Sequence, residues 1–191
     1  MAHKEQTQFC EAVKKLFPDF FYKKTVIDVG SLDINGSNES LFRKCWYEGI
    51  DIVAGKNVDH VGKAHEVIPK IGTTAKFSLI KRQYLLHLTT DVMISTECLE
   101  HDADWKMTLA AMYDYLKPGG LMLITCASEG RAEHGTTACD PKCSPGTNDY
   151  YKNVTFDMFS SVIKPELFKT YYLNYDTGWN DLQFYGIKKF N

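Results

Sequence analysis

Short apolar runs alternate along this chain with stretches in which apolar residues recur every three or four positions. In "TVIDVG" the β-branched Val26, Ile27 and Val29 predict a doubly buried strand over 26–30. "GSLDINGS" is a glycine-containing turn. Ser37 behind it predicts the N-cap of a helix over "NESLFRKCW", with Leu41, Phe42, Cys45 and Trp46 on its apolar side. "WYEGIDIV" predicts a second strand ending at Asp51, "NVDHV" a short third and "DVMIST" a fourth. "AHEVIPKI" and "KFSLIKRQYLLHL" supply helical and irregular covering. "DADWKMTLAAMYDYLK" reads as a helix with Asp102 or Asp104 near its N-cap, stopped by Pro118-Gly119-Gly120, after which "LMLITC" is a fifth strand.

Both ends of the chain add elements to this alternation. Phe9, Ala12, Val13, Leu16 and Phe17 at helical spacing predict an N-terminal helix over about 5–17, stopped by Pro18. "VTFDMFSSVI" predicts a helix capped by Thr155, and "KTYYLNYDTGWNDLQFYGIKKF" two aromatic-rich strands around the turn "DTGWND". The expected fold class is α/β: a doubly wound, mostly parallel seven-stranded sheet with an antiparallel C-terminal hairpin and helices on both faces. At 191 residues one domain over 1–191 is expected, with no repeat or linker.

Composition narrows the function classes. A formal net charge of −2 gives no global field for nucleic acid. No run is long and apolar enough to span a bilayer, and "MAHKEQTQFCEAVKKLF" has no signal-peptide core, so a cytoplasmic protein without membrane contact is expected. The six cysteines then read as thiols rather than a disulfide framework. Cys139 and Cys143 share a loop with His134, but no second Cys/His pair completes a zinc set, so no metal is expected.

Strand, glycine loop and helix in succession over 25–37 aim main-chain N–H groups at whatever sits above the strand, although any α/β protein contains ordinary connections of this kind. Further segments decide between the two. "VIDVGS", Asp51 ending strand two, "VMISTECLEH" after strand four and "LKPGGLMLIT" into strand five, in this order and followed by the hairpin, resemble the class I S-adenosylmethionine-dependent methyltransferases. "VIDVGSLDINGS" resembles a sub-group whose loop carries G-S-x-D-x-N-G. The likeness covers nearly the whole chain from Val26 to Phe190.

The resemblance implies the cofactor S-adenosyl-L-methionine and a place for it. Gly30, Ser31 and Gly36 would let the loop meet its amino-acid end, and Asp28 would orient the loop or the ammonium group. Asp51, with Ile52 beside it, would accept the ribose hydroxyls. Thr96 and Glu97 would border the cofactor. Two positions depart from the family: Leu32 and Ile34 stand at later glycine positions of the loop, and Lys63 stands where many relatives carry an acid for adenine. Adenine contact is therefore expected from the backbone at Ala64 and His65 or from elsewhere.

The acceptor side is expected in the loop over about 127–153, with Arg131, His134, Tyr150 and Tyr151 as its contacts, since ligands bind at the carboxyl edge of such sheets. His101, following strand four, is the expected catalytic base for a proton leaving a hydroxyl or amine. The turn lacks G-x-G-x-x-G for a nicotinamide cofactor, and the chain has no G-x-S-x-G elbow of a hydrolase. "STECLEH" is not the D/N-P-P-Y/F of base-amine methylation, and no Pro-Cys pair is present for cytosine C5. A small-molecule or sugar-like acceptor is the leading expectation, with a protein or RNA target behind it. The alternative is a non-catalytic module that binds adenosylmethionine or a nucleoside.

Overall fold

A computed structural model describes residues 4–71 and 90–190. In it β1 (Thr25–Val29), β2 (Trp46–Asp51), β3 (His60–Val61), β4 (Thr90–Thr96) and β5 (Leu116–Ala127) run parallel. The hairpin of β6 (Phe168–Asp176) and β7 (Asp181–Lys188) joins antiparallel, giving a seven-stranded sheet in the order β3-β2-β1-β4-β5-β7-β6. This is the expected fold class, hairpin included. The covering segment "KFSLIKRQYLLHL" lies outside the described residues, and no helix among those described is long and apolar enough to cross a membrane.

Period-two alternation explains the layers. Val26, Val92, Ile94, Leu121 and Leu123 face one side, where Phe9, Cys10 and Val13 of α1 (Lys4–Leu16) pack with Phe21 and Phe42. Ile27, Val29, Met93, Met122, Ile124 and Cys126 face the other. There they meet α2 (Ala64–Ile71), α3 (Trp105–Asp114) and α4 (Phe156–Val162) through Ile68, Leu109, Met112 and Phe159. Each fully buried side chain of this size contributes about 1.5–3 kcal/mol. Thr155 caps α4 as predicted, its hydroxyl accepting from the Met158 N–H at 3.2 Å.

Three local expectations are corrected. The helix expected behind Ser37 is a single 3-10 turn, Asn38–Leu41, and Trp46 already begins β2. Pairing wins over propensity here: the Arg43 N–H donates to the Phe21 carbonyl, and Phe42 is buried by stacking on Phe21 at 4.7 Å. In α1 the inward face is Gln6, Phe9, Cys10 and Val13, leaving Ala12 exposed and Leu16 61% exposed. Gln6 turns inward because its Nε2 reaches Asn38 Oδ1 at 3.4 Å, which rotates the stripe. Finally, α3 stops at Asp114, before Pro118-Gly119-Gly120, which lie inside β5. The Thr90 N–H takes the Tyr115 carbonyl and Leu116 pairs with Thr90, so sheet formation ends the helix before proline can.

Candidate active site

Strand order reverses between β1 and β4, and where the two carboxyl ends diverge a cavity of about 440 Å³ opens. Its walls come from Asp28 and the loop behind it, the ends of β2 and β4, the entry to α2, residues 101–104 and the segment 143–148. Of the residues singled out in the sequence, Asp28, Gly30, Ser31, Gly36, Asp51, Ile52, Ala64, Thr96, Glu97 and His101 line it. His65, Arg131, His134, Tyr150 and Tyr151 are not among its lining residues.

Two carboxylates set the electrostatics. Asp28 is buried in β1, and its Oδ2 accepts the Tyr47 hydroxyl at 2.6 Å. Its Oδ1 is buried and meets no hydrogen-bond donor among the described residues. Burial pushes the Asp28 carboxyl up to about 7 against the lowering effect of Tyr47, with Asp51 adding to the rise. Asp51 ends β2 half-buried, Oδ2 accepting the Leu32 N–H at 3.2 Å and Oδ1 the Val53 N–H at 3.1 Å. Burial raises its pKa, and those main-chain amides oppose the rise.

The loop after β1 departs from the expected cradle of free N–H groups. The amides of Gly30 and Ser31 both donate to the Ile50 carbonyl, Leu32 to Asp51, Asp33 to the Lys56 carbonyl and Gly36 to Asp33 Oδ1. These bonds brace the loop against β2 and take those donors away from any ligand. Gly30 is needed for two reasons: its φ is +79°, and a Cβ there would overlap the Cβ and Sγ of Cys98. Close approach at this glycine is thus to Cys98, which lines the cavity beside it.

On the β4 side, Thr96 Oγ1 accepts from Asn38 Nδ2 at 2.9 Å. Glu97 takes the left-handed region at φ 52°, with Oε1 accepting from the Thr125 hydroxyl at 3.0 Å. His101 follows in a 3-10 turn, Leu99–His101, and is buried. Neither of its ring nitrogens has a hydrogen bond among the described residues, although the Tyr150 main chain comes close. Burial, with His134 next, pushes its pKa down to about 4. Glu100 is fully buried with both carboxyl oxygens bare, and burial followed by Glu97 raises it to about 8.

Of the four residues expected to touch the acceptor, Arg131, His134 and Tyr151 pack behind this wall. Arg131 ties its loop to the hairpin, NH1 donating to the Trp179 carbonyl at 2.7 Å and Asp181 Oδ1 at 3.0 Å. The His134 ring packs edge-on to His101 at 4.9 Å and to Tyr151 at 4.9 Å. The Tyr151 hydroxyl donates to Asn153 Oδ1 at 2.7 Å. What faces the cavity from this loop is Cys143 to Asn148, which sequence reasoning passed over. It also passed over Asn38, Cys98 and the ion pair of Lys63 with Asp104 at 2.7 Å, all on the lining. Only Lys63 carried a sequence signal, as the departure after strand three.

The family model described as a methyltransferase domain matches residues 1–139. No curated protein sequence matches significantly. Among solved structures, a Haemonchus contortus phosphoethanolamine N-methyltransferase 2 in complex with phosphomonomethylethanolamine and S-adenosylhomocysteine superposes with a TM-score of 0.60 at 16% identity. The match covers 96% of this chain and 53% of that one, so the chain spans about half the length of that relative. A Burkholderia thailandensis 1,6-didemethyltoxoflavin-N1-methyltransferase gives 0.56 at 13% identity over 98% of this chain and 79% of that one. An Archaeoglobus fulgidus SAM-dependent methyltransferase gives 0.59 at 12% identity over 96% and 94%. At these identities the superpositions speak for the fold.

Proposed function

The chain belongs to the methyltransferase-domain family, and on that footing we propose that it transfers a methyl group from S-adenosylmethionine to an oxygen or nitrogen of a small, sugar-like or similarly polar acceptor. The observation that carries the reading is the bare, buried Oδ1 of Asp28 set in the same cavity wall as Asp51. The residues fit the cofactor. An ammonium group satisfies the bare oxygen of Asp28, and Asp51 keeps lone pairs for two ribose hydroxyls after accepting its main-chain amides. The wall of Ala64, Lys63 and Asp104 remains for adenine. Solved relatives of the same fold hold S-adenosylhomocysteine or S-adenosylmethionine.

When bound, the cofactor supplies a methyl group on a sulfonium, whose carbon–sulfur electron pair leaves with sulfur as the acceptor's lone pair bonds to carbon. The chain's task is to hold the acceptor in line, and orientation of this kind supplies much of such acceleration. His101 is the catalytic residue of this reading, since it lines the cavity on the β4 side. Burial pushes its pKa down, so its ring is neutral at pH 7, a weaker base than an ordinary histidine but one whose lone pair is open to a proton leaving a hydroxyl or ammonium. The segment Cys143 to Asn148 lies on the same cavity and closes the acceptor's side. Arg131, His134, Tyr150 and Tyr151 serve the acceptor by fixing this loop. The net charge of −2 favours a small molecule over RNA.

The test pairs calorimetric titration of the cofactor with incubation of the protein, methyl-labelled cofactor and a cell extract. Binding with label in the small-molecule fraction is expected, and His101→Gln should slow turnover roughly 10²–10⁴-fold with little change in cofactor affinity. No binding by the wild type, or equal binding by Asp51→Ala, would overturn the assignment. Binding without transfer to any fraction would make the chain a non-catalytic cofactor-binding module.

A further inference from the structure

We propose that Glu100, His101 and His134 form a binding site for one divalent transition-metal ion, best matched by zinc, at the acceptor side of the cavity. The inference rests on the methyl-transfer reading of that cavity and changes one role within it: with its lone pair on the ion, His101 acts on the acceptor through the cation rather than by taking the proton itself. One carboxylate oxygen and one nitrogen from each ring lie within 4.8 Å of one another. Two loops bring them together, the turn after β4 and the long connection after β5, so no spacing in the sequence announces the set.

Hydrogen bonding leaves the cluster with an unmet need. Both oxygens of Glu100, both nitrogens of His101 and Nε2 of His134 are buried without a hydrogen bond among the described residues. None of the three side chains bonds to another of them, and the amides of Glu100 and Ala127 approach the carboxyl without hydrogen-bond geometry. A neutral His101 ring keeps one N–H and one lone pair, so the cluster is a set of bare buried polar groups; these are costly and rare, and several in one small volume point to a shared partner. Arg131 is not that partner: its NH1 donates to Asp181 and the Trp179 carbonyl, and its NH2 lies 4.0 Å from Glu97 Oε2.

The chemistry of the set selects a cation. His134 Nδ1 lies 3.1 Å from the Ala132 carbonyl, which can only accept. Nδ1 therefore carries the hydrogen and Nε2 offers its lone pair, the arrangement by which an outer hydrogen bond orients a metal-binding imidazole. Tyr151 fixes both rings, at 4.9 Å from His134 and 5.3 Å from His101. Two imidazoles with one carboxylate suit zinc, which in such sites leaves its fourth position to water or substrate. Magnesium and calcium would demand more oxygens.

Zinc–ligand bonds of about 2.0–2.2 Å put tetrahedral ligand atoms roughly 3.4 Å apart, so the three atoms must draw inward by about an ångström on binding. Of the three residues only His101 lines the cavity, which sets the ion in the wall beside the acceptor. An acceptor hydroxyl in the fourth position would lose its proton to water more readily. The grouping of Cys139 and Cys143 with His134 does not assemble: Cys139 is exposed and the Cys143 thiol bonds Asp140 at 2.8 Å.

The test uses the full chain carrying Cys139→Ser and Cys143→Ser to remove competing loop thiols, stripped with chelator and titrated with zinc chloride by calorimetry. One ion per chain is expected, with affinity falling at least tenfold in Glu100→Gln and again in His134→Ala. Cofactor titration of the same variants reads whether they fold and tests the methyl-transfer site separately. No stoichiometric zinc binding, or binding unchanged in both variants while cofactor affinity is retained, overturns the site. Zinc binding in a chain that binds no cofactor would keep the site and sink the methyl-transfer reading instead.

Discussion

Asp28 and Asp51 sit at the ends of adjacent strands, yet the chain treats them differently. Asp51 is half-buried and held in place by two main-chain amides, with lone pairs left over for the ribose hydroxyls of the proposed pose. Removing it in Asp51→Ala should weaken cofactor binding by about 1.5–3 kcal/mol, the range for hydrogen bonds to a charged group, readable by calorimetry. Equal affinity in the variant would mean that the diol lies elsewhere. Both acids were legible in the sequence because an acid at the end of an apolar run, as Asp51 is, or next to it, as Asp28 is, falls near the ligand edge of a parallel sheet by topology alone. Cys98 and Asn38 were not. Cys98 matters because it fills the space over Gly30, and Asn38 because it links Gln6 to Thr96, and both relations join residues far apart in sequence. Arg131 misled for the converse reason, since a lone basic residue in a loop reads as a ligand contact until Asp181 appears opposite it.

The parallel strands were legible as short apolar, β-branched runs, because a strand covered on both faces is apolar throughout; which residue faces which core emerged only with the fold. Helix ends were less legible. Main-chain pairing with segments distant in sequence decided where each helix stopped, with the Phe21–Tyr22 stretch behind Ser37 and with β4 at Asp114, and propensity carries no trace of that. The long connection after β5 behaves as an element of its own, and Gly135 is where it meets the active site. There φ is +70°, and an added Cβ would come within 2.8 Å of His101 Cε1 and 2.5 Å of Ser144 Oγ. Gly135→Ala should therefore displace the loop from His101 and lower turnover while leaving cofactor affinity, which the proposal assigns to Asp28 and Asp51, nearly intact. Steady-state kinetics beside calorimetry check this, and unchanged kcat would show that the loop's position is immaterial. At α4, Thr155→Ala removes the cap on Met158 and should cost about 1 kcal/mol. That is roughly 2–4 °C in Tm for a chain of this size.

On the proposed pose of the cofactor, buried Asp28 should couple ligand binding to the stability of the whole molecule. In the folded chain the Asp28 carboxyl titrates near 7, pushed up by burial, against an ordinary value of 3.8. Between those two values the folded state holds a proton that the unfolded state has lost. Stability of the free protein should therefore fall as pH rises across that window. In the proposed pose an ammonium group against Oδ1 favours the ionised carboxyl, so cofactor binding should expel that proton and strengthen as pH rises through 7. From pH 6 to 7.5, below the titration of an α-amino group, affinity should rise roughly five- to tenfold. Saturation adds to this: cofactor at a hundred times Kd stabilises the fold by about 2.7 kcal/mol. Thermal denaturation with a fixed, limiting cofactor concentration should show a larger increase in Tm at pH 7.5 than at pH 6. Asp28→Asn keeps the Tyr47 contact within reach but cannot ionise, so it should flatten the pH dependence of the free protein and of the shift together. A wild-type shift equal at both pH values, or a variant that keeps the full pH dependence, would place the cofactor's charge away from Asp28.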